Sequence, residues 1–165
     1  MRDVEFIATL YDASYRRLVG QLVGVTGSRA EAEDVVQEAF VRAINHATTV
    51  RRADNPEAWL RTVAVNVARS RWRRMTRLAG LTRHPVEPPD EGVSPDRVAL
   101  VEALKRLPAA QREAIALHHV ADLPVHEVAA TLGVPIGTVK ARLSRGRAAL
   151  ASYLSDHTET EARHD

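Results

Sequence analysis

Four cations, Lys140, Arg142, Arg145 and Arg147, fall within the segment LPVHEVAATLGVPIGTVKARLSRGR that runs from Leu123 to Arg147. Ammonium and guanidinium groups gathered on one helix bind anions, and a guanidinium fork also matches the paired acceptors on the edge of guanine. A second cationic array lies between Glu57 and Glu87, where no acid occurs and Arg61, Arg69, Arg71, Arg73, Arg74, Arg77 and Arg83 follow one another. The opposite chemistry appears at Asp34, Gln37 and Glu38, whose i, i+3, i+4 spacing puts all three on one face of a helix. An acidic, amide-bearing face is badly placed for DNA and well placed for a basic protein partner, although a solvated helix flank would show the same residues. Metal-assisted or acid-base catalysis needs clustered carboxylates or histidines, and the seven histidines are scattered. His118 and His119 are neighbours on a helix, so their directions are expected to diverge by about 100 degrees. No catalytic residue, metal ligand or cofactor is expected, and the absence of cysteine excludes disulfides and thiolate-metal sites.

The elements that hold these groups read as helices. In the C-terminal segment Val128, Ala129 and Leu132 form the buried stripe of a first helix, and Gly133 stands where a helix stop needs a left-handed residue. Pro135 and Gly137 restart the chain in a new direction with Val139, Leu143 and Leu150 inward, a helix-turn-helix in which Ala129 and Ala130 let the two helices cross closely. The cations fall largely off the Val139/Leu143 face, where a major groove accepts a helix. An αα-hairpin with a solvated basic face would also carry them, but turn chemistry, alanines and an acid-free helix coincide here. Upstream, apolar residues recur at helical spacing in VEFIATLYDASYRRLVGQLVGVTG, AEAEDVVQEAFVRAI and PEAWLRTVAVNVARSRW. Ser28 before Glu31 predicts a capped helix start, and Asn55-Pro56-Glu57 predicts another. In the last of these helices Trp59, Leu60, Val63 and Val67 read as core, while Arg69, Arg73 and Arg74 lie along an outer face that can follow a phosphate backbone and Asn66 can reach a base edge. Trp72, set among arginines, suits either burial or stacking on an unpaired base.

The chain has 165 residues, 45% hydrophobic and 27% charged, which suits a folded globular protein. No stretch approaches the roughly 18 apolar residues of a membrane span, and the acid-bearing N-terminus lacks the apolar core of a signal peptide, so a cytoplasmic protein is expected. Residues 81–96 hold Pro85, Pro88, Pro89 and Pro95 with Glu87, Asp90, Glu91 and Asp96, the composition of a linker. No segment alternates long enough for a strand. The expected fold is all-α, with two small helical domains at 1–80 and 97–155 joined by a flexible, Pro-rich acidic linker at 81–96. A final helix is expected from about Pro135 to Leu154, followed by a polar, frayed tail at 156–165.

The order EDVVQEAFVRAI, NPEAWLRTVAVNVARSRWRR, acidic linker, LPAAQREAIALHHVADLPVHEVAATLGVPIGTVKARLSRGRAAL resembles the extracytoplasmic-function (group IV) sigma factors of bacterial RNA polymerase, over roughly residues 5 to 154. The resemblance implies a first domain equal to sigma region 2 and a second equal to region 4. It places Asp34, Gln37 and Glu38 against the clamp helices of the polymerase β′ subunit, and it implies a region 4 contact with the β flap. It assigns minus-10 recognition and melting to the loop from Asn45 to Asn55 and the helix after it, with Asn55, Asn66, Arg69, Arg73 and Arg74 on the DNA side. It assigns the minus-35 element to Thr138, Lys140, Arg142, Arg145 and Arg147, with Thr138 and Arg147 on phosphates. Ser144 stands where some relatives carry a bulky side chain, which implies a different minus-35 preference. The linker would thread a positively lined polymerase channel as an RNA mimic, and an anti-sigma factor is implied as a further partner.

Two other classes fit part of the pattern. A free-standing helix-turn-helix regulator would use only the C-terminal half and has no need of the Asp34/Gln37/Glu38 face. An enzyme such as a nuclease would need the clustered carboxylates or histidines that the sequence does not provide.

Overall fold

A computed structural model describes residues 2–78 and 94–162, with side chains through Asp156. The chain divides into two compact units, Met1–Pro88 and Pro89–Asp165. Among the described residues there is no strand, as the all-α expectation required.

The first unit is built from α1 (Arg2–Thr26), α2 (Arg29–Asn45), α3 (Ala47–Arg52) and α4 (Pro56–Leu78). Apolar residues three and four apart on α1, α2 and α4 meet in one core, where Leu18, Leu22, Val35, Val36, Leu60 and Val65 are fully shielded from water. The Ser28 hydroxyl accepts from the Glu31 amide at 3.1 Å and starts α2. Only half of the expected capping box forms, because the Glu31 carboxylate turns to Arg71 on α4 instead of back to the cap. Asn55 starts α4 by accepting the Ala58 amide on Oδ1 at 3.1 Å, with Pro56 in the first turn, where its missing N–H costs nothing.

The stretch Asn45 to Asn55, expected as a loop, contains α3. Its Val50 is fully buried, and that anchor explains why six residues without an acid in the first turn hold a helical conformation.

The second unit comprises α5 (Pro95–Lys105), α6 (Ala109–Ile115), a π-helical turn (Ala116–Val120), α7 (Val125–Leu132) and α8 (Ile136–Ala162). Pro95 and Asp96, expected in the linker, are the first turn of α5. Ser94 caps that helix by accepting the Arg97 amide, and proline at the first helical position is compatible with starting a helix although it cannot continue one. The rest of the expected linker falls mostly on residues 79–93, outside the described residues. Leu104, Ile115, Leu117, Val128, Val139 and Leu143 form the core. Gly133 adopts φ 68°, the left-handed conformation that ends α7 and turns the chain into α8. Gly146 is required by a close approach, since a Cβ there would stand 2.7 Å from Ile115 Cγ1 in the core.

The tail expected to fray from 156 onward continues α8 as far as Ala162. Neither proline nor glycine interrupts the chain after Gly146, so nothing in the backbone chemistry stops the helix at Leu154.

Candidate functional site

The acidic face lies on α2. Asp34 and Gln37 are exposed and Glu38 is half-buried, while Val35, Val36, Ala39 and Phe40 turn into the core as expected. The three polar groups are brought together, and each is also engaged. Arg71 Nη2 donates to Asp34 Oδ2 at 3.4 Å, Arg42 Nη2 donates to Glu38 Oε1 at 3.0 Å, and Gln37 Nε2 donates to the Tyr15 hydroxyl at 3.3 Å. Tyr15 stacks on Tyr11 at 4.7 Å between ring centroids, and Tyr11 meets the Phe40 ring edge-on at 4.9 Å. An aromatic cluster therefore borders the acidic face, and burial together with Tyr15 and Asp12 raises the Tyr11 pKa. Sequence reasoning passed over these tyrosines because they belong to a different helix. Val41 and Ile44 continue the outer side of α2 as exposed apolar residues.

Of the seven arginines after Glu57, Arg83 lies outside the described residues, and the other six do not act as one array. Arg61 is buried and donates to Gln21 Oε1 at 3.0 Å, which ties α4 to α1. Arg71 makes a two-pronged contact with Glu31, and that hydrogen bond with the neighbouring acids raises its pKa against the opposing effect of burial. Arg73, Arg74 and Arg77 are exposed and make no ion pair among the described residues, while Arg69 is half-buried. At about 100 degrees per residue, Asn66, Arg73 and Arg77 fall within about 40 degrees of one another. Arg74 stands roughly 100 degrees from Arg73, on a flank. Asn55 sits eleven residues before Asn66, about 16 Å along the axis, so it is apart from the others, and its side chain is already used as the cap. Trp59, expected in the core, is half-exposed. Its i, i+7 relation to Asn66 puts it on the outer side of α4, and that spacing is the signal by which the sequence shows it. Trp72 is also half-exposed, and Val63 likewise lies at the boundary of the core.

In the second unit α7 and α8 form the expected helix-turn-helix. Val128, Ala129 and Leu132 are buried on α7, and Val139, Leu143 and Leu150 on α8. Of the two alanines expected at the crossing, Ala129 is buried and Ala130 is exposed; a separate close approach, Gly146 against Ile115, sets α8 against α6. The cations split into two groups around α8. Lys140 and Arg147, both exposed, share one flank with exposed Ser144. Arg145, exposed, and Arg142, half-buried, share the other with Thr138, half-buried in the first turn. Between the flanks runs a strip of small residues, Gly137, Ala141 and Ala148. Such a helix can lie deep in a groove while its two flanks reach opposite walls.

His118 and His119 do not diverge as expected for an α-helix. The π-helical turn leaves their rings 4.7 Å apart in edge-to-face contact. His118 Nδ1–H donates to the Leu123 carbonyl at 2.7 Å, and Arg147 Nη1 donates to His119 Nε2 at 3.4 Å. Among the described residues no group of three His, Asp or Glu side chains is arranged to hold a metal ion, and no helix is long and apolar enough to cross a membrane.

Residues 10–78 match the Sigma-70 region 2 family, and residues 97–150 match Sigma-70, region 4. The ECF RNA polymerase sigma factor SigL of Mycobacterium tuberculosis is 33% identical over 162 residues, 93% of this chain and 92% of SigL. The chain belongs to the extracytoplasmic-function sigma factors. The RNA polymerase sigma-E factor of Streptomyces coelicolor is 33% identical over 91% of this chain and 84% of its own. The chain spans 58% of the length of another relative, the sigma factor SigE of Mycolicibacterium smegmatis, at 31% identity. Among solved structures, the sigma factor RpoE of Bartonella quintana, in complex with the anti-sigma factor NepR, superposes with a TM-score of 0.76 at 28% identity, over 90% of this chain and 96% of that one. The first unit thus carries region 2 of this ECF sigma factor and the second carries region 4.

Proposed function

We propose that this ECF sigma factor binds core RNA polymerase, directs it to promoters by reading minus-10 and minus-35 elements, and assists their opening. The observation that carries the reading is the division of labour between the two units. One presents an acidic, aromatic-bordered face on α2 together with exposed cations on α4, and the other presents a helix-turn-helix whose α8 has a cation-bearing flank on each side. A free-standing regulator would need only the second unit.

In this reading Asp34, Gln37 and Glu38 meet the clamp helices of β′, with Arg42 and Arg71 as the intramolecular partners that a basic polymerase surface displaces or joins. Asn66, Arg69, Arg73 and Arg74 face minus-10 DNA, with Asn55 at the start of the same helix. Thr138, Lys140, Arg142, Arg145 and Arg147 face minus-35 DNA. Residues 81–96 join the two domains. The protein is a binding subunit, and RNA synthesis stays with the polymerase. Because the Bartonella quintana sigma factor was solved with an anti-sigma factor, a restraining partner of that class is proposed here too.

The test is run-off transcription by purified core polymerase on a genomic fragment library, with and without the chain. Discrete start sites that appear only with the chain support the reading. If the chain instead binds DNA fragments tightly without polymerase and never alters start-site choice, the regulator reading replaces it.

A further inference from the structure

The contact between His119 and Arg147 joins the π-helical turn to the DNA-reading helix. His119 is exposed at its edge, and its Nε2 accepts from the Arg147 guanidinium, which has only donors to offer, so the neutral ring carries its proton on Nδ1. Two groups act on its charge, His118 on its own element and Arg147 on α8, and both disfavour protonation in addition to burial, which is the largest cause. The ring is therefore held neutral, with its pKa below the ordinary value of 6.5. His126 and Glu127 lie on α7, which packs against the π-helical turn. Arg147 lies on the same flank of α8 as Lys140, so the pair sits at the edge of a cationic strip.

We propose that His119 and Arg147 form a proton-linked phosphate site in the second unit: the neutral imidazole orients the guanidinium in the free protein, and on duplex DNA it takes a proton from solvent so that both cations grip one backbone phosphate. This rests on the reading of the second unit as the duplex-binding one. A protonated imidazole no longer accepts from Arg147 and becomes a donor at both nitrogens. Two adjacent cations repel each other unless an anion lies between them, and a phosphate supplies the charge and the acceptor oxygens for both.

The sign of the linkage follows. Phosphate raises a pKa that the free protein lowers, so binding takes up a proton and affinity rises as pH falls, levelling off below the pKa of the free protein. For folding without DNA the sign is opposite. The unfolded chain binds the proton more readily, so the burial of His119, with His118 and Arg147 beside it, favours the folded state above the ordinary value of 6.5, a preference lost as pH falls.

The test uses the full chain and a duplex of about 25 base pairs of arbitrary sequence, since a phosphate contact ignores sequence. Anisotropy titrations at fixed salt should show tighter binding at about pH 5.8 than at pH 8, by roughly three- to tenfold. His119→Gln should remove that difference, and His126→Gln should retain it. In the native protein the imidazole proton resonance of His119 should titrate at a higher pH once duplex is added, a readout that does not depend on any variant folding. An unchanged or lowered His119 titration point, or full pH dependence surviving in His119→Gln, overturns the proposal while leaving duplex binding intact. No duplex binding by the free chain at either pH overturns the proposal, whereas the reading of the second unit as duplex-binding stands or falls with the run-off transcription test.

Discussion

Arg71 and Arg73 stand two residues apart on α4, and sequence treats them alike, yet one is clasped by Glu31 and Asp34 and the other is exposed. Proximity to an acid forty residues away in the chain decides the difference, and no local pattern reports it. Arg61, which donates to the Gln21 amide oxygen from a buried position, is hidden likewise by a partner distant in sequence. The acidic face was legible, because i, i+3, i+4 spacing is a local property, but its intramolecular partners were not. Two predictions belong at this scale. Reversing charge at Asp34 and Glu38 together should weaken association with core polymerase at least about tenfold, since like-charge juxtaposition across an interface costs several kcal/mol. It should leave helicity intact, because the exposed ion pairs it removes are worth at most about 1 kcal/mol each; co-purification and circular dichroism measure both. Undiminished binding by the folded double variant would remove α2 from the polymerase interface. On α8, Arg145→Ala should lose about 1 to 3 kcal/mol in a way that depends on the minus-35 sequence, if it touches a base. Arg147→Ala should weaken binding to all sequences alike and lower the salt slope by about 0.9. Uniform losses from both would reduce α8 to a phosphate clamp.

At the scale of elements, the sequence was most informative where one residue type answers one backbone demand. Gly133 was expected to be left-handed and has φ 68°; Ser28 and Asn55 were expected as helix starts and each accepts an amide of the first turn. Elements whose stability comes from tertiary packing were missed. The short helix α3 exists because Val50 finds the core, and the π-helical turn ends in a contact from His118 to Leu123 that periodicity cannot encode. Small size assigned both Ala129 and Ala130 to the crossing of α7 and α8, and only Ala129 is buried. Two glycines can be used to separate these effects. Gly133→Ala should destabilise the second unit by about 1 kcal/mol through the left-handed backbone alone, since nothing lies within 4 Å of a Cβ there. Gly146→Val should cost more, about 1 to 3 kcal/mol, because it overpacks a site where even a Cβ stands 2.7 Å from a buried isoleucine. Denaturant midpoints of the second unit measure both, and equal effects would show that the Ile115 side chain yields freely.

For the whole molecule, each unit carries its own buried core: Leu18, Leu22, Val35 and Leu60 in one, Leu104, Ile115, Val128 and Val139 in the other. Domains of this size fold alone when their helices bury a continuous apolar face, although their stability is small. We propose from the sequence that residues 81–96 connect the two without contributing to either core, apart from Pro95 and Asp96, which start α5. The four prolines and four acids of this stretch offer no apolar stripe to bury. Limited proteolysis of the free protein should then cut first between residues 84 and 93 and release two fragments, each helical and each unfolding in its own transition. In the polymerase complex the same cleavage should be slowed, because an acidic segment bound in a basic channel is withdrawn from the protease. Differential scanning calorimetry of the intact chain gives the second measurement. Two resolvable transitions, matching those of the fragments, support independent domains. One cooperative transition, together with a protease-resistant connection in the free chain, would mean that the two cores depend on each other and that the acidic stretch is part of the folded structure.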